Sequence, residues 1–467
     1  MMRSKIAICT LVAGMVAFLA TLLAPPGWSY QWDIKDNFPI ATLPDTREWL
    51  KKYRPIDNQP PPFKDGDILK FPEDAEKAKP YVPVEFWRTI LVTGHQIKIR
   101  KTRDLSPHKE YMEATKKHQR QARIGEEKGK RGFLVGYTAG LPFPEEDIQE
   151  SDPDAGWKLV WNWEYRWQGF EGLGLGQFDG KMQTGPDVDR VISGHYKKLY
   201  HTNRVDYPDN NYTLPIRGGD KYHWKQWTHL DAPFDIKDTV FVQFRYNGAK
   251  MDGALHEEDG WAYIPALRRV RRISMATRTD SFMGTELTID DFYNFAGRPL
   301  DWDWKLVGRK KMLIPISDHL VYRSPDDLYG PDKVLSHDSY ELREQFMVDN
   351  FPRNSRHPYY QKILYIDAQT MYSFYMSAWD KKKDLWKEIL WHWYWSDDGL
   401  GINPKDKGVR ALNWNYGPCW DVQSGRVTVF IGHDCTLYGA PRDGIKDKFP
   451  PKRVQRYFDI NRLIRGH

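Results

Sequence analysis

The sequence predicts a mainly β fold: one large, antiparallel, meandering sheet. Three observations predict it. From residue 157 onward, run after run alternates apolar and polar residues with a period of two. Turn signals separate those runs, at Asn247-Gly248, Asp259-Gly260, Gly297-Arg298-Pro299 and Ser424-Gly425. Long amphipathic helices are scarce, so consecutive strands with short connections must satisfy one another as antiparallel neighbours. Neither an internal repeat nor a low-complexity linker interrupts the pattern, which points to a single domain over residues 131–467.

The elements follow in order. Arg3 and Lys5 precede an unbroken apolar run at 6–24, which Pro25, Pro26 and Gly27 end. With small residues at 27 and 29, this reads as a secretory signal peptide, residues 1–29, cleaved after Ser29. The alternative, an uncleaved anchor helix, barely has the length to span a bilayer, and no positive stop-transfer cluster follows it. Cys9 sits too early in the apolar run to be a lipoprotein cysteine. An exported chain with no second run of spanning length belongs in the periplasm or on the periplasmic face of the outer membrane of a Gram-negative cell. Residues 30–130 read as a Pro-rich and charged N-terminal arm lying over a core, with a short helix near Asp45–Tyr53. A charged helix is expected over 106–128, where Ser106 caps and Pro107 takes the first helical position. The first strand is then expected where Trp161, Trp163, Tyr165 and Trp167 alternate with Asn162, Glu164 and Arg166. Thr239–Tyr246, Trp261–Ile273, Trp302–Leu306, Lys311–Ile314, Lys362–Asp367, Met371–Met376, Leu390–Trp395 and Arg426–Ile431 read as further strands.

Composition narrows the function classes. The net charge of +6 falls to +4 once Arg3 and Lys5 are removed, too little for a nucleic-acid partner, which requires a concentrated basic face. Aromatic residues make up 14 % of the chain, with 20 Trp and 26 Tyr, yet 28 % of residues are charged. Such a chain separates an aromatic inside from a charged outside. Beyond Cys9 only Cys419 and Cys435 remain, and an oxidising compartment permits a bridge between them. A tight turn at Ser424-Gly425 sets them about 17 Å apart at roughly 3.4 Å per residue, out of bridging reach. A disulfide therefore needs a wider loop, and the bridged and free states both stay open.

Catalytic signatures are missing. The chain has no Gly-x-Ser-x-Gly elbow, phosphate-binding loop, His-Glu-x-x-His or Cys-x-x-Cys pattern. No catalytic residue, metal ligand or cofactor is assigned. The carboxylates of Glu145-Glu146-Asp147 and Asp290-Asp291 are adjacent, and adjacent strand residues point to opposite faces. The aromatic strands are the stronger clue. Their rings either fill a core or line a broad apolar cavity, and Trp161, Trp163, Tyr165 and Trp167 are the candidate lining residues. A sugar is the rival occupant, because Trp faces also stack on sugars. Arg268, Arg269, Arg271 and Arg272 are the second clue. On one strand, Arg268 and Arg272 share a face and Arg269 and Arg271 share the other, so one pair must face whatever the sheet covers. A buried guanidinium needs a partner. Glu286, Asp290 and Asp291 are candidate structural partners, and an anionic ligand head group is the alternative.

Around these arginines the stretch from Asp259 to Phe292 resembles the core motif of the family known as domain of unknown function 1329, proteobacterial proteins often labelled outer-membrane lipoprotein-sorting proteins. The resemblance extends upstream through Pro142-Phe143-Pro144, Asp152–Gly156, Trp161-Asn162 and Arg166. Downstream it takes in Trp304-Lys305-Leu306-Val307-Gly308, His357-Pro358-Tyr359 and Lys362–Asp367. Glu286 stands where the family usually has Asp, and the N-terminal arm matches weakly. The resemblance implies a lipoprotein-carrier-like fold, a wide unclosed antiparallel half-barrel around a helical plug or lid. It also implies transport of a lipidic, hydrophobic or amphiphilic molecule between inner and outer membranes, near an exporter of the resistance-nodulation-division type or an outer-membrane protein. It carries over no catalytic residue. The alternatives are an envelope enzyme acting on lipid or polysaccharide and a ligand-free structural partner of an export complex.

Overall fold

The structure is a computed structural model that describes residues 39–273, 278–320, 328–329, 333–398, 406–438, 441–442, 445–446, 454, 458–460 and 463. The expected leader lies outside the described residues.

Sixteen strands form one sheet. In chain order they are β1 Ile68–Lys70, β2 Gln96–Arg100, β3 Gly172–Thr184, β4 Asp187–Tyr200, β5 Tyr222–Ala232, β6 Val240–Tyr246, β7 Asp259–Ile264 and β8 Arg269–Ile273. Then come β9 Trp302–Ser317, β10 Ser339–Pro352, β11 Tyr359–Asp367, β12 Ser373–Asp380, β13 Leu385–Leu390, β14 His392–Trp395, β15 Leu412–Asp421 and β16 Arg426–Tyr438. The hydrogen-bonded order is β1-β2-β10-β11-β12-β13-β15-β16-β3-β4-β5-β6-β7-β8, with β9 paired to β10 and β14, and β14 also to β15. The pairings are antiparallel except for two short parallel contacts, β2 with β10 and β9 with β14. The path ends at β1 and β8, so the sheet is large and unclosed, as expected.

The hairpins follow local chemistry. Between β15 and β16, Asp421 Oδ1 accepts from the backbone N–H groups of Gln423 (3.1 Å) and Ser424 (2.9 Å), and Gly425 takes φ 72°. That four-residue loop pairs Cys419 with Thr428, while Cys435 pairs with Leu175 on the next strand. Seven positions along β16 separate Thr428 from Cys435, roughly 24 Å at about 3.4 Å per residue. Both thiols are buried and no disulfide joins them.

Four expectations are corrected. The Trp161–Trp167 run is not a strand: Ala155–Glu164 is a helix, here α3, and residues 165–171 leave it irregularly. Nearly all of α3 is buried, polar residues included. A helix buried all round has no polar face, so its 3.6-residue period does not show in the sequence. Asn162 is fully buried; it donates to the Phe143 carbonyl (2.8 Å) and accepts from its N–H (2.9 Å). The charged helix expected over 106–128 runs only over Lys109–His118, called α2, and the chain then forms the hairpin Arg123–Glu127/Lys130–Val135. Trp302–Leu306 and Lys311–Ile314 are one strand, β9, with a bulge between Leu306 and Gly308. Finally, residues 39–130 are not merely laid over the core. They supply β1 and β2, and Ala78, Val82, Phe86 and Ile90 are fully buried in the same cluster as the sheet. The helix expected near Asp45–Tyr53 is present as α1, Leu43–Tyr53, with a Thr42–Asp45 capping box.

Candidate functional site

The strands β4, β5 and β6 build one wall of a cavity by simple alternation. Tyr196 and Lys198, then Trp224, Gln226 and Thr228, then Phe241, Gln243 and Arg245 stand at every second position and line it. The register confirms a shared face, with Lys198 opposite Gln226, Gln226 opposite Gln243, and Thr228 opposite Phe241. Trp163 and Glu164 at the end of α3, and Arg166 just beyond it, form the opposing wall. Phe282, Phe292 and Tyr293 from the irregular segment after β8, with Trp414 and Phe430, complete the enclosure. A cavity of about 110 Å³ is left unfilled, within a wider space of about 1100 Å³ that is partly open to solvent. The helical plug therefore does not fill this face of the sheet.

The cavity has two ends of different character. Toward the solvent, Phe241, Phe282 and Phe292 are partly exposed, with Phe241–Phe282 and Phe282–Phe292 ring centroids 6.2 and 5.4 Å apart. At the inner end are Trp163, Trp224, Tyr293 and Trp414, all buried, together with the cations. Two of those cations belong to a closed network. Arg245 meets Glu164 at 2.9 Å and also bonds Glu258; Arg278 bonds Glu258 and Asp290. Burial opposes these charges, but Glu164 and Glu258 outweigh it and hold the Arg245 pKa up. Burial likewise opposes the Glu164 and Asp290 charges, yet Arg245 and Arg278 pull both carboxyls below their ordinary range. Arg245 thus already holds Glu164, the carboxylate among the lining residues.

The other two cations stand outside that network. Lys198 and Arg166 are buried, 7 % and 4 % exposed. Lys198 Nζ lies over the rings of Trp224 (4.7 Å), Tyr200 (5.2 Å) and Tyr293 (5.4 Å). Burial first, then repulsion from the Arg166 guanidinium, brings its pKa from 10.5 to about 7. Arg166 stacks on Trp163 (4.2 Å) and Tyr372 (4.6 Å) and donates to the Trp163 carbonyl (2.5 Å) and Gln168 (3.3 Å).

Of the aromatic residues singled out from sequence, only Trp163 lines this cavity. Trp161 donates to the Gly132 carbonyl (2.8 Å), Trp167 to the Val409 carbonyl (3.0 Å) and Tyr165 to Asn247 (3.1 Å), so their polar atoms tie the plug to the rest of the protein. The arginine cluster does not enter the interior as expected, because β8 is the edge strand and Arg268, Arg269, Arg271 and Arg272 are all exposed. Arg268 is not in the strand but at the turn before it, with φ 47°. Arg272 pairs with Asp259 at 2.6 Å. Arg269 and Arg271 alternate with Ile273, which lines the cavity, so they lie on that face at its rim. Glu286, Asp290 and Asp291 serve other cations: Arg426 (2.8 Å), Arg278 and Lys362 (2.8 Å).

Lys198 went unnoticed in the sequence. Its signal is local: a lysine with Tyr196 and Tyr200 two positions to either side, on a strand, shares its face with both rings. Outside the cavity, His195, His229 and Asp231, and separately Asp318, His319 and Asp338, bring metal-ligating atoms together. In the first group the side chains satisfy one another, with Asp231 at 2.9 Å from His195 and 3.0 Å from His229.

Residues 89–433 match the profile of a family described as a protein of unknown function, DUF1329. An uncharacterized protein of Pseudomonas aeruginosa is 25 % identical over 316 residues; the match takes in 61 % of this chain and 63 % of that relative's length. A DUF1329 family protein from Desulfovibrio piger aligns at 16 % identity and TM-score 0.42, over 67 % of this chain and 100 % of that one. A domain named for outer membrane lipoprotein sorting, from Vibrio parahaemolyticus, aligns at 15 % and 0.44 over 67 % and 100 %. A LolA superfamily protein from Nitrosomonas europaea aligns at 11 % and 0.33 over 61 % and 89 %. With the family profile spanning most of the chain, from the second half of the N-terminal segment to β16, the protein belongs to the DUF1329 family.

Proposed function

We propose that this protein is a carrier in the Gram-negative envelope that holds a hydrophobic or amphiphilic molecule in the cavity between α3 and strands β4–β6. It would pass that molecule between inner and outer membranes. The observation that carries this reading is the unfilled, aromatic-lined cavity of about 110 Å³ at the heart of that space. An interior of this kind is normally close-packed, and an apolar void of that size forfeits contacts unless a ligand supplies them. Transfer of a sixteen-carbon chain out of water contributes roughly 12 kcal/mol at about 0.8 kcal/mol per methylene, and an enclosing wall captures most of it. The signal sequence read at 1–29 supports a periplasmic location. A resistance-nodulation-division exporter or an outer-membrane protein is the partner this reading implies.

Native mass spectrometry of the protein purified from periplasm tests it, beside a Thr228→Trp variant whose added ring enters the cavity. The expected result is a stoichiometric lipidic adduct on the wild type, absent from a folded Thr228→Trp protein. A bare wild-type mass, together with failure to bind hexadecanol in solution, overturns the reading.

A further inference from the structure

Four lysines are buried among the described residues. Lys362 meets Asp291 at 2.8 Å, Lys387 meets Asp421 at 2.7 Å, and Lys310 pairs with Asp57. Lys198 has no carboxylate within ion-pair distance among the described residues. Five arginines are buried. Arg204, Arg245, Arg278 and Arg343 each pair with carboxylates, while Arg166 pairs with none among the described residues. The two exceptions line the same cavity. Removal of a charge from water without a counter-charge is unfavourable enough that folded proteins rarely retain it. Ring faces offset part of that loss for Lys198 and Arg166, but an aromatic face carries no net charge. Glu164 and Glu258 reach Lys198 only through longer-range attraction, and Arg245 holds both. What the inner end lacks is one anionic group.

Resting on the carrier reading above, we propose that the cavity takes an anionic amphiphile, its oxyacid head group held between Lys198 and Arg166 and its apolar tail directed outward along Phe292, Phe282 and Phe241. The shared chemistry is a carboxylate or phosphate on a hydrocarbon chain. A guanidinium and an ammonium on either side of one oxyanion make charge-assisted hydrogen bonds that neither ring faces nor a neutral head supply. The tail direction follows from exposure, since the phenylalanines toward the solvent are partly exposed and the cations are not.

The test is equilibrium binding of hexadecanoate, hexadecyl phosphate and hexadecanol, matched in chain length, to the full chain and to its Lys198→Met and Arg166→Met variants. The wild type is expected to prefer at least one anion over the alcohol by about tenfold or more. Which anion it prefers separates a fatty-acid-like ligand from a phospholipid-like one. Each substitution is expected to bring the preference toward one while hexadecanol binding persists. Equal binding of all three probes by the wild type overturns the proposal and leaves the carrier reading standing, and this arm needs no variant to fold. A preference that survives both substitutions overturns it as well. Failure of every probe, the alcohol included, overturns both.

Discussion

Substitution of Lys198 by Met should make the unliganded protein more stable, the opposite of what removal of a buried, well-packed side chain normally does. Met keeps the unbranched length of the stem and its contact with Trp224, Tyr200 and Tyr293. It removes an ammonium whose pKa the fold has brought from 10.5 to about 7. At about 1.4 kcal/mol per tenfold change, that displacement corresponds to an upper bound of roughly 5 kcal/mol at neutral pH. Loss of the cation–ring contacts returns about 0.5–2 kcal/mol of it, so the net gain is at most about 3–4.5 kcal/mol. The sign of the pH dependence follows from proton counting. Below about pH 7 both folded and unfolded chains carry the proton, and the full burial cost stands. Between about 7 and 10.5 the unfolded chain holds more protons than the folded one, so wild-type stability rises with pH relative to the variant. Glu164, held below its ordinary range, and Arg245, held above its own, keep their charge through that window, and burial pushes the Tyr200 and Tyr293 hydroxyls above their ordinary range. Urea unfolding of both proteins at pH 6.5, 8 and 9.5 measures the gap, which should narrow steadily. A variant less stable than wild type at pH 7, by an amount independent of pH, would refute the reasoning.

Further predictions concern other groups. Glu388 is buried with one hydroxyl partner, Thr89 at 2.8 Å, and burial drives its pKa from 4.5 up to about 8. The folded chain therefore holds more protons than the unfolded one in that interval, and stability falls as pH rises through it, by a few kcal/mol in all. Glu388→Gln should flatten that decline in urea midpoints between pH 5 and 8; an unchanged slope would assign it elsewhere. Arg269→Glu with Arg271→Glu, on the exposed rim, should shift stability by no more than about 0.5 kcal/mol. The same pair should slow hexadecanoate association and weaken its salt dependence while leaving dissociation unchanged; stopped-flow mixing separates the two, and a faster dissociation would place these arginines on the bound head group. Cys419 and Cys435 are buried and not bridged to each other, and burial pushes both thiols up. A thiol reagent should leave them unmodified in the native protein and label both on unfolding, with a melting temperature indifferent to reductant; a drop in that temperature on reduction would indicate a bridge.

Sequence alone determined the class of fold, because a sheet with one lined face and one outer face imprints its period of two on the chain. The run at Thr239–Tyr246 becomes β6 and the run at Arg426–Ile431 lies within β16, and the turn residues between runs mark where the chain reverses. The aromatic content signalled a ring-rich interior and left a filled core and a lined cavity both open. The family was legible from the Asp259–Phe292 block. Tertiary structure alone decided which rings face space and which face protein. Trp161, Trp163 and Trp167 look equivalent in the sequence, yet the buried helix and the irregular stretch after it direct them to the Gly132 carbonyl, the cavity and the Val409 carbonyl. It also decided which charges are paired. Lys362 finds Asp291 and Arg245 finds Glu164 across long stretches of chain, whereas Lys198 and Arg166 meet no carboxylate among the described residues. A missing partner is a property of everything packed around a group, and no local pattern of residues records it.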